Sequence, residues 1–229
     1  MSKQKISLLL PGSFFEQDVQ KKLEYLNNKD LQNIFVFDQT VNPADENLQM
    51  YEIRKSINIL QNYEERMFNI GTLVLNINKR NIDDLINEYI NPFMAIDGFK
   101  LGLGLGDDRY EKNSPNFFNN LDDIVSYVVE KFDFTKDDRE IFLGGKSDLI
   151  FEVMRKYSVG INQWFGSEES FRKKREIYEK LDEPIGSISL CLNKDFPSKK
   201  KINIKNVELI YIIKESSSEI FYSQVDKIL

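Results

Sequence analysis

KLGLGLGDDRYEKN, Lys100 to Asn113, alternates three leucines with three glycines and then breaks into charge. Successive side chains of a strand point to opposite faces, so Leu101, Leu103 and Leu105 share one face and Gly102, Gly104 and Gly106 the other. A leucine face belongs under helices. A face of bare glycine lets a neighbouring backbone or a flat ligand come close, which places it on the inside of a closed sheet. The alternative is that the glycines only relieve crowding in a core. The spacing is not the dinucleotide fingerprint, because GLGLGD lacks G-x-G-x-x-G and a polar loop follows it instead of a helix. That loop, from Asp107, falls at the carboxyl end of a strand, where parallel barrels keep their sites.

Working outward, seven more short apolar runs read as strands: 5–10, 33–38, 67–77, 140–145, 159–165, 186–192 and 207–213. Patterns of helical period lie between most of them. Ser114-Pro115 opens one, followed by Phe118, Leu121, Val125, Val128 and Phe132. Asn81, Ser147, Ser167 and Ser218 open the others, and each apolar stripe reads as a face packed on a sheet. Repeated strand–helix alternation implies parallel strands and right-handed crossovers. The expectation is a (β/α)8 TIM-like barrel, with a doubly wound open sheet as its competitor. Residues 192–207 carry no convincing helix, so the barrel is expected to be shortened or atypical near its last strands. No linker or repeat divides the chain, and residues 1–229 read as one domain.

Composition excludes much chemistry. The 229 residues contain no histidine and one cysteine, Cys191. That removes Ser-His-Asp triads, Cys–His nucleophiles, imidazole bases and zinc sites of the usual kind, so no metal is expected. Net charge is −6 with both signs interspersed, which disfavours a nucleic-acid or anionic-membrane partner. The apolar run before Pro11 is too short for a secretory signal and nothing approaches a membrane span, so a cytoplasmic protein is expected. Chemistry is left to carboxylates, Arg, Lys, Tyr or a bound cofactor. The segment GGKSDLI, 144–150, adds two flexible residues, a lysine and a Ser cap ahead of a helix. This is either a ready anion site or an ordinary strand-to-helix turn.

FKLGLGLGDDRYE resembles the fourth-strand signature of the luciferase-like monooxygenase superfamily, which includes coenzyme F420-dependent oxidoreductases. VFDQT (36–40), IGTLVLNINKRN (70–81) and IFLGGKSDLIFEVMRKYSVGINQW (141–164) resemble its second-strand end, third strand and phosphate-loop segment, in the same order. The resemblance covers roughly residues 5–192. It implies a barrel that holds F420 or FMN with the ring over the carboxyl ends of the strands, acting by hydride transfer on a small molecule, and pairing as a homodimer. It places Gln39, Gly71, Thr72, Gly102, Gly104, Gly106, Asp107, Asn162 and Trp164 around the ring, and Gly144, Gly145 and Lys146 at its phosphate. Asp38 or Glu111 would handle a proton, and Arg80 would stabilise negative charge. Each has a plainer alternative: Asp38 as a loop cap, Glu111 as a solvated side chain, Arg80 as the partner of a carboxylate. Gln39 stands where many members keep histidine, Asn81-Ile82 where His-Pro is common, and the insertion after the fourth strand is missing. These departures leave open a non-catalytic relative that binds a flavin-like ligand or serves as a partner subunit. A phosphate-binding barrel lyase or isomerase, with Lys146 at a strand end, is the remaining option.

Overall fold

The structure is a computed structural model and describes residues 4–39, 51–106, 120–164, 167–192, 206–214 and 216–229. Eight parallel strands close into a barrel in sequence order: β1 (Ile6–Leu9), β2 (Asn33–Asp38), β3 (Asn69–Asn76), β4 (Lys100–Gly104), β5 (Glu140–Gly144), β6 (Gly160–Gln163), β7 (Ile188–Leu192) and β8 (Glu208–Ile212). Closure runs through β1 and β8, with Ile6 opposite Leu209 and Leu9 opposite Ile212. All eight expected strands are present and the open-sheet alternative is gone. The connection expected to be atypical, 193–205, lies outside the described residues, as does the Ser114-Pro115 helix start.

Helices cover the outside: α1 (Val19–Asn27), α2 (Ile53–Gln61), α3 (Ile82–Leu85), α4 (Asn91–Met94), α5 (Asn120–Lys131), α6 (Asp148–Tyr157), α7 (Glu168–Tyr178) and α8 (Ser218–Ile228). Asn81, Ser147 and Ser167 each accept a backbone N–H with their side chain, as helix-capping residues do. Between α3 and α4 the chain widens into a π-helical stretch, Ile86–Ile90. Pro92 follows after Asn91, and proline brings no N–H and crowds the carbonyl four residues back, so a regular α-turn cannot run through it. Among the described residues no helix is long and apolar enough to cross a membrane.

The barrel wall separates two apolar clusters. Leu101 and Leu103 of β4 join the large one between strands and helices, with Leu75, Ile141, Leu143 and Val125. The small one fills the barrel and contains Leu9, Phe35, Phe142, Val74, Ile210 and Ile212. The β4 glycine face therefore points inward, as its alternation requires. Phe35 and Phe142 meet edge to face in the middle of the barrel, 5.9 Å between centroids.

Below this apolar layer the amino-terminal ends of the strands carry a buried polar floor. Glu208 accepts from Ser7 Oγ, and from Asn33 Nδ2 at 2.6 Å. Glu140 accepts from Lys100 at 3.2 Å and from the Ser187 backbone N–H at 2.9 Å. Buried polar groups need such partners, and here they come from strands distant in sequence.

Candidate active site at the carboxyl pole of the barrel

Two irregularities shape the pole. The β2–β3 register shifts between Val36 and Asp38, and the β3–β4 register shifts between Thr72 and Leu75. The second shift is a bulge that turns both Leu73 and Val74 into the barrel, and the peptide bond between them is cis. Val74 then lies between β4 and β5. A methyl group added at Gly144 would stand 2.8 Å from Val74 Cγ1, and one at Gly104 would overlap Val74 Cγ2. Lower down, a methyl at Gly102 would stand 2.5 Å from Phe142 Cζ and strike the Thr72 carbonyl oxygen. A methyl at Gly71 would meet Lys100 and the Phe35 ring.

This corrects the expected ring contacts at Gly71, Thr72 and Gly102. The bare faces of the two glycines are filled by neighbouring protein atoms, so they do not open onto ligand space. Thr72 is fully buried, and its hydroxyl donates to the Gly102 carbonyl at 2.9 Å while accepting the Gly102 N–H at 3.1 Å, tying β3 to β4. Gly104 and Gly144 make room for Val74.

At the ends of β2 and β3 the polar residues form one cluster. Asp38 is 3% exposed, and Arg80 grips it with two parallel bonds, Nη1 to Oδ2 at 2.7 Å and Nη2 to Oδ1 at 3.0 Å. Lys79 Nζ adds a bond to Oδ1 at 2.9 Å, and the Asn76 N–H one to Oδ2 at 3.3 Å. Both carboxylate oxygens are thus engaged twice, so Asp38 serves as a clamp and offers no lone pair for carrying a proton. The Arg80 guanidinium also lies 3.9 Å from the Tyr89 ring centroid, a cation–π contact that fixes its plane. The short loop is braced from β4, where Leu105 O accepts from Asn78 Nδ2 at 2.8 Å. Gln39, half-buried, contributes its carbonyl to Lys79 at 3.3 Å.

Across the pole, β5 leads into α6. Gly145 has φ +131°, a conformation that favours glycine, and Lys146 is exposed at the start of the helix. Ser147 Oγ accepts the Ile150 N–H at 3.4 Å and so caps the first turn of α6. From β6, Asn162 is buried and points inward, its Nδ2 donating to Ser189 Oγ at 2.9 Å and to Cys191 Sγ at 3.4 Å. Trp164 packs half-buried on the barrel's inner cluster. Gly106 ends the described part of β4's exit with φ +81°. Asp107 and Glu111 lie outside the described residues.

Sequence reading missed Val74, Lys79 and Lys174. Lys174 of α7 is 3% exposed and donates to the Asn162 carbonyl at 2.6 Å. Burial pushes its ammonium down to about 8, partly opposed by Cys191 nearby, whose own thiol burial pushes up to about 12. A signal for Lys174 existed: it follows Phe171 by three residues and precedes Tyr178 by four, on one helix face.

No protein-family model matches the sequence, and no curated protein matches it either. Solved structures do match by shape. An F420-dependent secondary alcohol dehydrogenase in complex with an F420–acetone adduct superposes with a TM-score of 0.60 at 9% identity, covering 84% of this chain and 69% of that one. A coenzyme F420-dependent tetrahydromethanopterin reductase from Methanopyrus kandleri superposes with a TM-score of 0.54 at 10% identity, covering 84% and 67%. At such identity the likeness is one of fold, a closed barrel of eight parallel strands.

Proposed function

We propose, with that fold as the premise, that the chain is an oxidoreductase which holds coenzyme F420, or FMN in its place, at the carboxyl pole and acts on a small molecule. The observation that carries the reading is the junction of β5 and α6. An anion site at Gly145, Lys146 and the α6 amino terminus adjoins an apolar platform made by Val74 over Gly104 and Gly144. A phosphorylated ligand with a flat ring needs both features side by side, and these residues fit it. The bound ring supplies the hydride chemistry. The protein's residues do the rest: Lys146 and the α6 N–H groups fix the phosphate, Val74 and Trp164 present apolar surface, and Arg80 sets positive charge at the rim. Homodimerisation and a cytoplasmic location belong to the same proposal.

The test is calorimetric titration of the purified chain with F420 and with FMN, beside the Lys146→Glu variant. Binding of one compound that the variant weakens supports the reading, and the tighter compound names the cofactor. Failure of both to bind refutes it. A non-catalytic relative is favoured by one observation, the clamped carboxylate of Asp38, which leaves proton transfer to another group. Cofactor binding without absorbance change under any reductant and substrate panel would decide for that second reading.

A further inference from the structure

Asp38, Lys79 and Arg80 carry one negative and two positive charges, a net of +1 at the exit of β2 and β3. Arg80 alone satisfies both oxygens of Asp38 in the bidentate geometry that suits a buried carboxylate. Lys79 is therefore a second cation on a carboxylate already paired. Its exposure also differs: Asp38 is 3% exposed and Arg80 13%, whereas Lys79 is 38% exposed. Two of its three N–H groups are engaged, by Asp38 Oδ1 and the Gln39 carbonyl, and the third has no acceptor among the described residues. Lysine normally loses much rotamer freedom on meeting a ligand, and here Asp38 has already restrained the ammonium at the pole. The neighbouring charges do not cancel the surplus, since Arg54, on the same Tyr89 ring, pairs with Glu52 and Glu88. Arg80 already compensates the buried charge of Asp38, so Lys79 is not needed to keep that carboxylate paired.

We infer that Lys79 is a recognition cation for the substrate, and that the substrate carries an anionic carboxylate or phosphate group that docks on its outward N–H. The inference deepens the proposed oxidoreductase reading by naming the substrate's chemical class. It makes Asp38 a positioning residue for Lys79 and gives the pole two separate anion sites, one at α6 and one at β3.

Backbone-amide NMR of the cofactor-free full chain, titrated with inorganic phosphate and separately with succinate, tests it. Signals of residues 76–80 are expected to move and saturate with at least one probe. In Lys79→Gln the affinity read from those signals should fall about tenfold, the loss of one charge-assisted bond. The variant's remaining spectrum serves as the folding control, and the signals of residues 144–150 report the α6 site independently. Movement at 144–150 with none at 76–80 overturns the inference and leaves the cofactor reading intact. Movement at 76–80 alone supports the inference while counting against the phosphate cradle. Unchanged affinity in Lys79→Gln overturns it outright, and preference for one probe tells phosphate from carboxylate.

Discussion

Gly144→Ala, made alone and together with Val74→Ala, measures why the inner wall of β4 and β5 is bare. The new methyl would stand 2.8 Å from Val74 Cγ1, 3.7 Å from Cγ2 and 3.8 Å from the Leu103 carbonyl oxygen. The first of these is far inside van der Waals contact and the other two are ordinary. Val74 is 8% exposed and β-branched, so it has few rotamers into which to retreat. Overpacking of this kind costs about 1–3 kcal/mol. Val74→Ala alone removes two methyl groups from a packed layer, costing about 2 kcal/mol in transfer and cavity terms. In the double variant the methyl at residue 144 enters the space the valine vacates. The pair should then cost less than the sum of the singles by at least about 1 kcal/mol. Gly102 supplies the contrast, because a methyl there strikes the backbone oxygen of Thr72 as well as the Phe142 ring. Phe142→Ala should fail to rescue Gly102→Ala, since a backbone carbonyl cannot be truncated. Urea unfolding followed by far-UV circular dichroism gives all the required differences. Additivity of Gly144→Ala with Val74→Ala to within about 0.5 kcal/mol would refute the packing account and return the glycine face to ligand space.

Two buried titratable groups give signed pH predictions. Lys174 is held at about 8 by burial against a usual 10.5, so the unfolded chain binds the extra proton between those values and stability due to this group rises with pH across that window. Lys174→Met should be relatively most stabilising below pH 8 and lose the advantage by pH 10.5, and a pH-independent difference in denaturation midpoints would sink the assignment. Glu208 has its carboxyl pushed above the usual 4.5, first by burial and then by Glu140, against opposing hydrogen bonds from Ser7 and Asn33. Its stabilising contribution is complete below 4.5 and lost as pH rises through the folded value, so Glu208→Gln, which keeps an acceptor for Ser7 and Asn33, should gain on the wild type from pH 4.5 upward. Melting curves over that range check the direction, and a gap that narrows with rising pH contradicts it.

The strands were readable because two-residue alternation survives in β4, where leucine and glycine could not be confused about which face is which. The same rule fails in β3. LVL, 73–75, is continuously apolar, so nothing in its composition marks the place where the bulge turns Leu73 and Val74 to the same side. Without that bulge the inner glycines look like vacant space, and with it they become sockets for Val74 and Phe142. The plainer alternative for Arg80, partner of a carboxylate, is what the structure shows, but which carboxylate depends on where β2 ends relative to β3, which no local pattern encodes. Helices α1 and α2 were not singled out at all, although Leu23 and Leu26, and Ile53, Ile57 and Leu60, share buried faces at helical spacing. Lys174 hid inside EESFRKKREIYEK, where nine charges make the whole helix read as exposed.

The vertical order of the barrel's contents restricts where chemistry can occur. The floor is polar, with Glu208 buried and Glu140 half-buried, both bonded to residues of the same layer. The middle is apolar and filled by Phe35 and Phe142, which leaves no path by which the floor carboxylates could exchange a proton with a ligand at the top. Among the described residues the carboxyl pole combines exposure at Lys79 and Lys146 with fixed positive charge at Arg80. In a chain without histidine, the described part of that pole offers cations and dipoles and a carboxylate already clamped. Such an arrangement is suited to gripping anions and stabilising charge, while bond-making falls to whatever reactive group it holds. The same order separates stability from the pole: the outer leucine layer and the polar floor both lie away from Asp38, Lys79 and Arg80.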